Sequence, residues 1–208
     1  MILPIFKKNR MHTFIANYSF YGLIRLAFSW LVTKLFYRQA RLIRLPVYIR
    51  GRSAISWGRG FTTGVGVRLD AFGERHEKLL VIGERVQIND YVHIGAIKSI
   101  IIGNDVLIAS RVFISDHNHG GYSDNDEHSS PDTPPTLRTL VASPVIIEDR
   151  VWIGENVCIL PGVRIGAGAI IGAGAVVSCD LPSNSISVGI PARVIKKYNQ
   201  DKGLWVRV

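Results

Sequence analysis

Cysteine, long uninterrupted apolar runs and, over the first third of the chain, acidic residues are scarce in this 208-residue sequence. The two cysteines, Cys158 and Cys179, form no motif, so we expect free thiols in a reducing cytoplasm rather than a disulfide framework. The twenty glycines disfavour long helices and favour a chain that turns often. A hydrophobic share of 47% suits a single domain with a substantial core.

Acidic residues are missing from residues 1–69, which carry twelve Lys or Arg. The other 139 residues hold thirteen basic and sixteen acidic groups, so the formal net charge of +9 belongs to the N-terminal third. Basicity confined to one segment predicts an anionic surface as partner. The basic residues alternate with bulky aliphatic ones and form no recognition motif, so we expect no nucleic acid partner.

Residues 14–36 are rich in large apolar side chains, but Arg25 and Lys34 interrupt them. A charge near the middle of a spanning helix is costly, and no A-x-A cleavage pattern follows, so neither a membrane-spanning helix nor a signal peptide is favoured. Two interpretations stay open, an interfacial membrane helix or a helix that caps the open end of a solenoid. The basic residues that would face lipid headgroups are Lys7, Lys8, Arg10, Arg38, Arg41 and Arg44.

A six-residue period dominates the sequence from about residue 49. The unbroken set of leading residues is Ile147, Ile153, Ile159, Ile165, Ile171 and Val177, and the earlier sets are Ile102, Ile108 and Ile114; Ile82, Ile88 and Ile94; and, more faintly, Ile49, Ile55, Phe61 and Val67. A period of six matches neither a helix nor a simple strand, but it fits a triangular coil whose faces are short strands with the leading residue inward. The sequence therefore predicts an all-β protein built as a parallel β-helix.

The repeat stops between Ile114 and Ile147, where residues 116–143 are polar and rich in Asp, Ser, Pro and His. A loop this long inside a regular solenoid is usually functional or mobile, so we expect it to protrude as an arm. It opens within the run SDHNHG at residues 115–120, whose two imidazoles, His117 and His119, are candidate general bases. A pair of solvated loop histidines is the alternative.

A metal site is a further, weaker alternative for these histidines. The side chains that could supply ligands are His93, His117, His119, His128, Asp116, Asp124 and Asp126. Their spacing matches no strong zinc signature, and we expect no metal.

Three stretches carry a resemblance to a known family: residues 102–109 (IGNDVLIA), residues 151–163 and residues 189–195 (GIPARVI). On these motifs, residues 81–197 resemble the hexapeptide-repeat O-acetyltransferases, including the galactoside and maltose acetyltransferases. The whole chain is most similar to acetyltransferases of bacterial lipopolysaccharide O-antigen and capsule synthesis. The resemblance implies a left-handed coil. We expect an N-terminal helical segment at 1–46, the β-helix at 47–190 with its loop at 116–143, and a tail at 191–208.

The resemblance also implies a set of site residues. The catalytic histidine of the family falls on His119 by an ungapped count from Ile102, with His117 as second choice. Asn89 corresponds to the asparagine that faces the acceptor, and Trp152 to the aromatic residue at the catalytic wall beside the coenzyme. The other contacts with coenzyme A carry over to Ala173, Ser178, Arg193 and Lys196.

Two positions depart from the family pattern. Cys179 stands where the sugar acetyltransferases have a lysine in the coenzyme A groove, and Ile97 stands where they have an acidic acceptor contact. The first departure weakens one phosphate contact, and the second argues against a simple galactoside as acceptor.

The resemblance implies an enzyme that transfers acetyl from acetyl-CoA to a sugar hydroxyl in surface polysaccharide synthesis, with histidine as general base. We expect a homotrimer that works in the cytoplasm at the inner face of the membrane, on an acceptor that lipid could carry. Three alternatives stay open: an N-acetyltransferase of a nucleotide-linked amino sugar, a metal hydratase like the γ-carbonic anhydrases, and a non-catalytic solenoid.

Overall fold

The computed structural model describes residues 18–73, 77–123 and 128–208. Within these ranges one helix, α1 (Phe20–Phe36), precedes short strands, and 3-10 turns form at Arg52–Ala54 and Pro135–Leu137. In chain order the strands β1 to β22 are Leu42–Ile43, Val47–Arg50, Ile55–Trp57, Thr62–Thr63, Val67–Ala71, Leu80–Ile82, Gln87–Ile88, His93–Ala96, Ile100–Ile102, Leu107–Ile108, Phe113–Ser115, His117–His119, Leu140–Ala142, Val145–Ile147, Trp152–Ile153, Cys158–Ile159, Arg164–Ile165, Ile170–Ile171, Val176–Val177, Ser185–Val188, Arg193–Asn199 and Leu204–Arg207.

Three stacked sheets form the faces of a triangular coil. Sheet A has the order β1-β4-β7-β10-β15-β18-β20-β21-β22, sheet B has β2-β5-β8-β11-β16-β19, and sheet C has β3-β6-β9-β14-β17. The chain visits A, B and C in turn, and each strand pairs in parallel with the equivalent strand of the next coil. The prediction of a mostly β protein with parallel coils is confirmed.

The leading residues of the repeat form the core. Ile94, Ile114, Ile159 and Val177 stack in register through sheet B, and all four are fully buried. Burying one such side chain stabilises the fold by roughly 1.5–3 kcal/mol, so the stack is the main stabilising element. All six residues of the unbroken set face this core, as the six-residue period predicts.

The faint early set has a different phase from the one predicted. Thr63 pairs with Ile88 and Leu69 pairs with Ile94, so these two residues lead their strands. Phe61 and Val67 stand two positions earlier, although both are fully buried. Hydrophobicity did not separate the two positions, because both face the core and one true leading residue is a threonine.

Every lengthening of the six-residue step falls at one corner of the prism, where the chain passes from sheet B to sheet C. The longer steps run from Ile49 to Trp57, from Leu69 to Ile82, from Ile94 to Ile102 and from Ile114 to Ile147. We call this edge the B–C corner. The last step contains residues 116–143, in which β12 and β13 pair as an antiparallel hairpin.

The coil extends slightly beyond the segment assigned to it from the sequence. It begins at β1, five residues before position 47, because Leu42 and Ile43 pair in parallel with Thr62 and Thr63 of β4. At the other end, β21 and β22 continue sheet A as antiparallel strands after β20. The tail predicted at 191–208 is therefore an extension of the same sheet.

Helix α1 places polar residues against the coil and leaves most of its large apolar residues outside. Ser29 and Thr33 are its buried residues, and Thr33 Oγ1 accepts from the Ile43 N–H at 2.8 Å while donating to Ser29 O at 2.6 Å. Ser29 Oγ accepts from the Leu45 N–H at 3.2 Å. These hydroxyls satisfy backbone groups in and just after β1, which pairs with β4 alone among the described strands and so forms an edge of sheet A. The arrangement fits the helix that caps a solenoid.

The opposite surface of α1 is strongly apolar. Its exposed large side chains are Phe20, Tyr21, Ile24, Phe28, Trp30, Leu31, Leu35 and Phe36. Among the described residues, no helix is both long enough and apolar enough to cross a membrane.

Candidate active site

The B–C corner collects polar and charged side chains from successive coils. Arg50, Asp70, Gly95 and Ser115 stand in register at the ends of β2, β5, β8 and β11. Because each follows a leading residue of sheet B, they form one column along the edge of the prism. The arm leaves the coil at this column, directly after Ser115.

Asp116 and His117 form a hydrogen-bonded pair at the base of the arm. The Asp116 carboxylate is fully buried and accepts the backbone N–H groups of Ile97 at 3.0 Å, Lys98 at 2.8 Å and Ser99 at 2.8 Å. Its Oδ1 also lies 2.9 Å from His117 Nδ1. Three backbone donors hold the carboxylate in one position, so its hydrogen bond orients the His117 imidazole.

The geometry gives His117 a basic nitrogen that faces away from Asp116. An ionised carboxylate only accepts hydrogen bonds, so Nδ1 carries the proton and Nε2 keeps its lone pair. The side chain is 20% exposed, and its Cε1 packs over Gly95, 3.6 Å from the place a Cβ would take there. His117 is therefore partly sheltered, rigidly held and able to accept a proton.

His119 has a different environment, inside the arm itself. Its exposed ring places Nδ1 3.2 Å from Pro135 O, and its strand pairs with Leu140. Its backbone carbonyl accepts the Tyr122 hydroxyl at 2.6 Å, and Arg138 donates to that hydroxyl at 2.7 Å. These contacts make His119 part of the hydrogen-bond network that folds the arm, in which Arg138 is a residue that sequence reasoning missed.

A second carboxylate on the same column holds three basic side chains. Asp70, only 2% exposed, accepts Arg50 Nε at 2.7 Å and Nη2 at 2.8 Å, and Arg68 Nε at 2.6 Å. His93 Nε2 lies 3.1 Å from the same group. Burial alone would raise the pKa of Asp70, but the hydrogen bonds from Arg50 and His93 outweigh it and hold the pKa below its usual value.

Sequence reasoning considered His93 only as a metal ligand. His93 Nε2 and His117 Cε1 both lie against Gly95, which joins the two histidine and aspartate pairs into one site. The sequence would have indicated this site only with Leu69 as the leading residue of β5, because that alignment places Asp70 beside Gly95 and Arg68 beside His93.

The remaining predicted residues lie in two regions of the prism, on sheet A with its corner toward sheet B, and on the B–C corner. Asn89 follows β7 at the corner between sheets A and B, and its Oδ1 accepts from Gln87 Nε2 at 3.3 Å. Trp152 lies on the outer face of sheet A, half exposed between Leu107 and Ile170. Ala173 follows β18 at the corner between sheets A and B, and Lys196 belongs to β21 of sheet A.

Two of the predicted coenzyme A contacts lie on the B–C corner instead. Ser178 follows β19 there, two coils beyond His117 along the column. Arg193 Nη1 lies 3.9 Å from Cys179 Sγ, which places its guanidinium at the same edge. A single chain therefore does not bring His117 together with Asn89, Trp152 and Ala173.

The metal alternative can be compared with the described histidines. His93 contacts Asp70, His117 contacts Asp116, and His119 contacts a backbone carbonyl. Across residues 18–73, 77–123 and 128–208, no three His, Cys, Asp or Glu side chains are grouped to hold a metal ion. Asp124 and Asp126 lie outside the described residues.

Comparison with known proteins places the chain in a family. Residues 144–179 match the bacterial transferase hexapeptide model, which describes six repeats. The chain is 51% identical over 189 residues to an Escherichia coli K12 protein provisionally named lipopolysaccharide biosynthesis O-acetyl transferase WbbJ, covering 91% of this chain and 95% of that protein. It is 34% identical over 154 residues to the galactoside O-acetyltransferase of the same strain, covering 74% of this chain and 59% of that enzyme.

A solved structure supports the same placement. A mutant of the Bacillus cereus N-acyltransferase AntD, in complex with dTDP-4-amino-4,6-dideoxyglucose and coenzyme A, superposes with a TM-score of 0.64 at 25% identity. The match covers 79% of this chain and 83% of that one. The chain belongs to the hexapeptide-repeat acetyltransferase family. The prediction of an acetyl-CoA-dependent O-acetyltransferase is confirmed at the level of this family.

Proposed function

We propose that this protein transfers an acetyl group from acetyl-CoA to a hydroxyl of a saccharide used in bacterial surface polysaccharide synthesis, with His117 as general base. The observation that carries the proposal is the buried Asp116 that fixes His117 where the arm leaves the coil. The similarity to WbbJ, which extends over 91% of this chain, supports a lipopolysaccharide-type acceptor.

His117 Nε2 accepts the proton of the acceptor hydroxyl as its oxygen attacks the thioester carbonyl carbon. Asp116 holds Nδ1 throughout and stabilises the imidazolium that forms. His117 then returns the proton to the departing thiolate as the carbon–sulfur bond breaks. General base catalysis of this kind contributes about 10²–10⁴-fold, and the fixed ring keeps the orientation productive.

The B–C corner offers a path for the coenzyme. Adjacent coils are about 4.8 Å apart, so Ser178, two coils from His117, lies roughly 10 Å along the column. Arg193 stands beyond it with its guanidinium near Cys179. We propose that Ser178 and Arg193 contact the pantetheine and phosphate parts while the thioester reaches His117.

We further propose a homotrimer with left-handed coils, from which the described parts of the arm, residues 116–123 and 128–143, protrude over a neighbour. The support is the separation of the predicted site residues into two regions, one on sheet A with its corner toward sheet B and one on the B–C corner. A head-to-tail threefold contact would bring Asn89, Trp152, Ala173 and Lys196 of one protomer to the B–C corner of the next. The handedness rests on the family resemblance.

Helix α1 supports a proposed peripheral attachment to the cytoplasmic face of the membrane, where a lipid-linked acceptor would be presented. Its exposed apolar surface is flanked by exposed Arg25, Lys34, Arg38 and Arg41, and no acidic residue precedes Asp70. Apolar insertion combined with basic flanks is the pattern of interfacial helices. Lys7, Lys8 and Arg10, which the sequence assigned to the same surface, lie outside the described residues.

Cosedimentation with vesicles that contain phosphatidylglycerol tests this attachment. Leu31→Ser, on the exposed face of α1, should weaken binding about ten-fold. Leu204→Ser makes the same change on β22, at the opposite end of sheet A, and should leave binding unchanged. Equal binding by the wild-type protein and Leu31→Ser would reject the membrane contact.

Deletion of the gene, followed by NMR of the surface polysaccharide, tests the proposed reaction. The O-acetyl signals should disappear and return when the wild-type gene is restored. Unchanged O-acetyl content would contradict the proposal, and loss of N-acetyl signals instead would identify an amine as the acceptor group.

A further inference from the structure

The side chains around Asp70 form a hydrogen-bonded cluster that takes no part in the proton transfer proposed for His117. We call Arg50, Arg68, Asp70 and His93 the Asp70 cluster. Its buried carboxylate binds two guanidinium groups at 2.6–2.8 Å, yet both arginine side chains remain about half exposed, at 51% and 45%. Burying a carboxylate is costly, and a single arginine would suffice to neutralise it.

The cluster keeps unused positive charge and unused hydrogen-bond donors. Two arginines face one carboxylate, so the cluster carries a net charge of at least +1. Arg50 donates hydrogen bonds to Asp70 from Nε and Nη2, and Arg68 donates one from Nε alone. Among the described residues, Arg50 Nη1 and both Nη atoms of Arg68 have no hydrogen-bond partner. Planar guanidinium donors of this kind match carboxylate and phosphate oxygens.

An aromatic side chain adds an apolar surface beside these donors. The Arg50 guanidinium carbon lies 5.2 Å from the centroid of the Phe72 ring, which is itself half exposed. The stacked ring limits where the guanidinium can move, because the cation is attracted to the ring face. Arg50 is therefore held from two sides, by Asp70 and by Phe72.

The position of the cluster relates it to the proposed base. Asp70, Gly95 and Ser115 follow each other in register, so the cluster lies two coils from Ser115, about 10 Å along the column. The proposed coenzyme contacts Ser178 and Arg193 extend from His117 in the opposite direction along the column. The cluster thus stands on the side of His117 from which an acceptor would approach.

We propose that the Asp70 cluster is an acceptor subsite that binds an oxyanion of the saccharide, a phosphate ester or a carboxylate, and so presents a nearby hydroxyl to His117. The inference rests on the proposed acetyl transfer. Arg50 and Arg68 contact the anion, and Asp70 is a positioning residue that holds their guanidinium groups.

Titration of the enzyme saturated with free coenzyme A tests the subsite, because the coenzyme then occupies its own phosphate contacts. Inorganic pyrophosphate and glucuronate serve as separate probes of the two anion classes, and calorimetry measures their affinities. The wild-type protein should bind one of them, and Arg50→Gln and Arg68→Gln should each weaken that binding about ten-fold or more. Tighter pyrophosphate binding would identify a phosphate group, and tighter glucuronate binding a carboxylate.

Arg85→Gln is the matched control. Arg85 holds Asp105 with the same two contacts, Nε to Oδ1 at 2.7 Å and Nη2 to Oδ2 at 2.8 Å, but it follows β6 on sheet C, away from the B–C corner. Its loss should leave anion binding unchanged.

Steady-state kinetics separate a binding role from a general structural one. With the anionic acceptor, Arg68→Gln should raise the KM for the acceptor about ten-fold or more while kcat and the KM for acetyl-CoA stay near wild type. Binding of neither probe by a wild-type enzyme that transfers acetyl, or equal losses in Arg85→Gln and Arg68→Gln, would overturn the subsite. An absence of acetyl transfer by the wild-type enzyme would instead overturn the proposed function.

Discussion

His117→Gln should lower the rate of acetyl transfer by about 10²–10⁴-fold, because glutamine keeps a similar volume and polarity but cannot accept the proton. Release of coenzyme A thiol from acetyl-CoA in the presence of acceptor measures this rate. The affinity for free coenzyme A, measured by calorimetry, should stay within a few-fold of wild type. The proposed coenzyme contacts, Ser178 and Arg193, lie on other coils.

His119→Gln is the matched control, since it makes the same change two residues further along the same strand. His119 is exposed and bonds to Pro135 O within the arm, so we expect a rate within a few-fold of wild type. A large loss in His119→Gln together with full activity in His117→Gln would restore the assignment that the ungapped count gave.

Ile159→Ala should destabilise the coil by about 2–5 kcal/mol, because it empties a fully buried position between Ile114 and Val177. The residue belongs to the longest unbroken run of the repeat, where the coils on both sides are rigid and cannot collapse into the cavity. Urea unfolding followed by circular dichroism measures the loss.

Ile101→Ala is the control for this change. Ile101 lies between two buried residues of β9 but points outward and is 42% exposed, so we expect a loss well under that of Ile159→Ala. Both variants are compared at one protein concentration, which keeps any assembly equilibrium constant. Equal destabilisation by the two variants would contradict the inward and outward alternation on which the coil depends.

The architecture could be predicted from the sequence because the six-residue repeat reflects which side chains pack in the core. Six consecutive apolar leading residues must face a common core, and each step of six turns one corner of the prism. The phase was predicted wrongly in the faint early set, where the true leading residues Trp57, Thr63 and Leu69 each stand two positions after the predicted ones. One of them, Thr63, is polar. The neighbouring Phe61 is equally buried and more apolar, so composition favoured it.

The site was less predictable, because it depends on contacts across the insertions. An ungapped count from Ile102 to His119 ends just inside the arm, so it locates a catalytic position only if the arm begins at the same residue in both proteins. The pairing of His117 with Asp116 depends on the backbone of residues 97–99, from the preceding coil, which folds around the carboxylate. Nothing in the local run SDHNHG distinguishes its two histidines.

The Asp70 cluster shows a second reason. Arg50, Arg68, Asp70 and His93 are spread over 44 residues of sequence and meet only because the coils stack in register. The residues of the cluster look like separate surface charges until β2, β5 and β8 are aligned. The insertions lie at the edge proposed to be functional, since the chain departs from its six-residue period where sheet B passes to sheet C.

The most direct test of the account is a crystal structure of the protein with a non-hydrolysable acetyl-CoA analogue. The account predicts that the carbonyl carbon lies close to His117 Nε2, where a hydroxyl oxygen bonded to that nitrogen could attack it. The pantetheine arm should extend along the B–C corner toward Ser178 and Arg193. An analogue bound on another edge of the prism, with His117 remote from its carbonyl, would contradict the account.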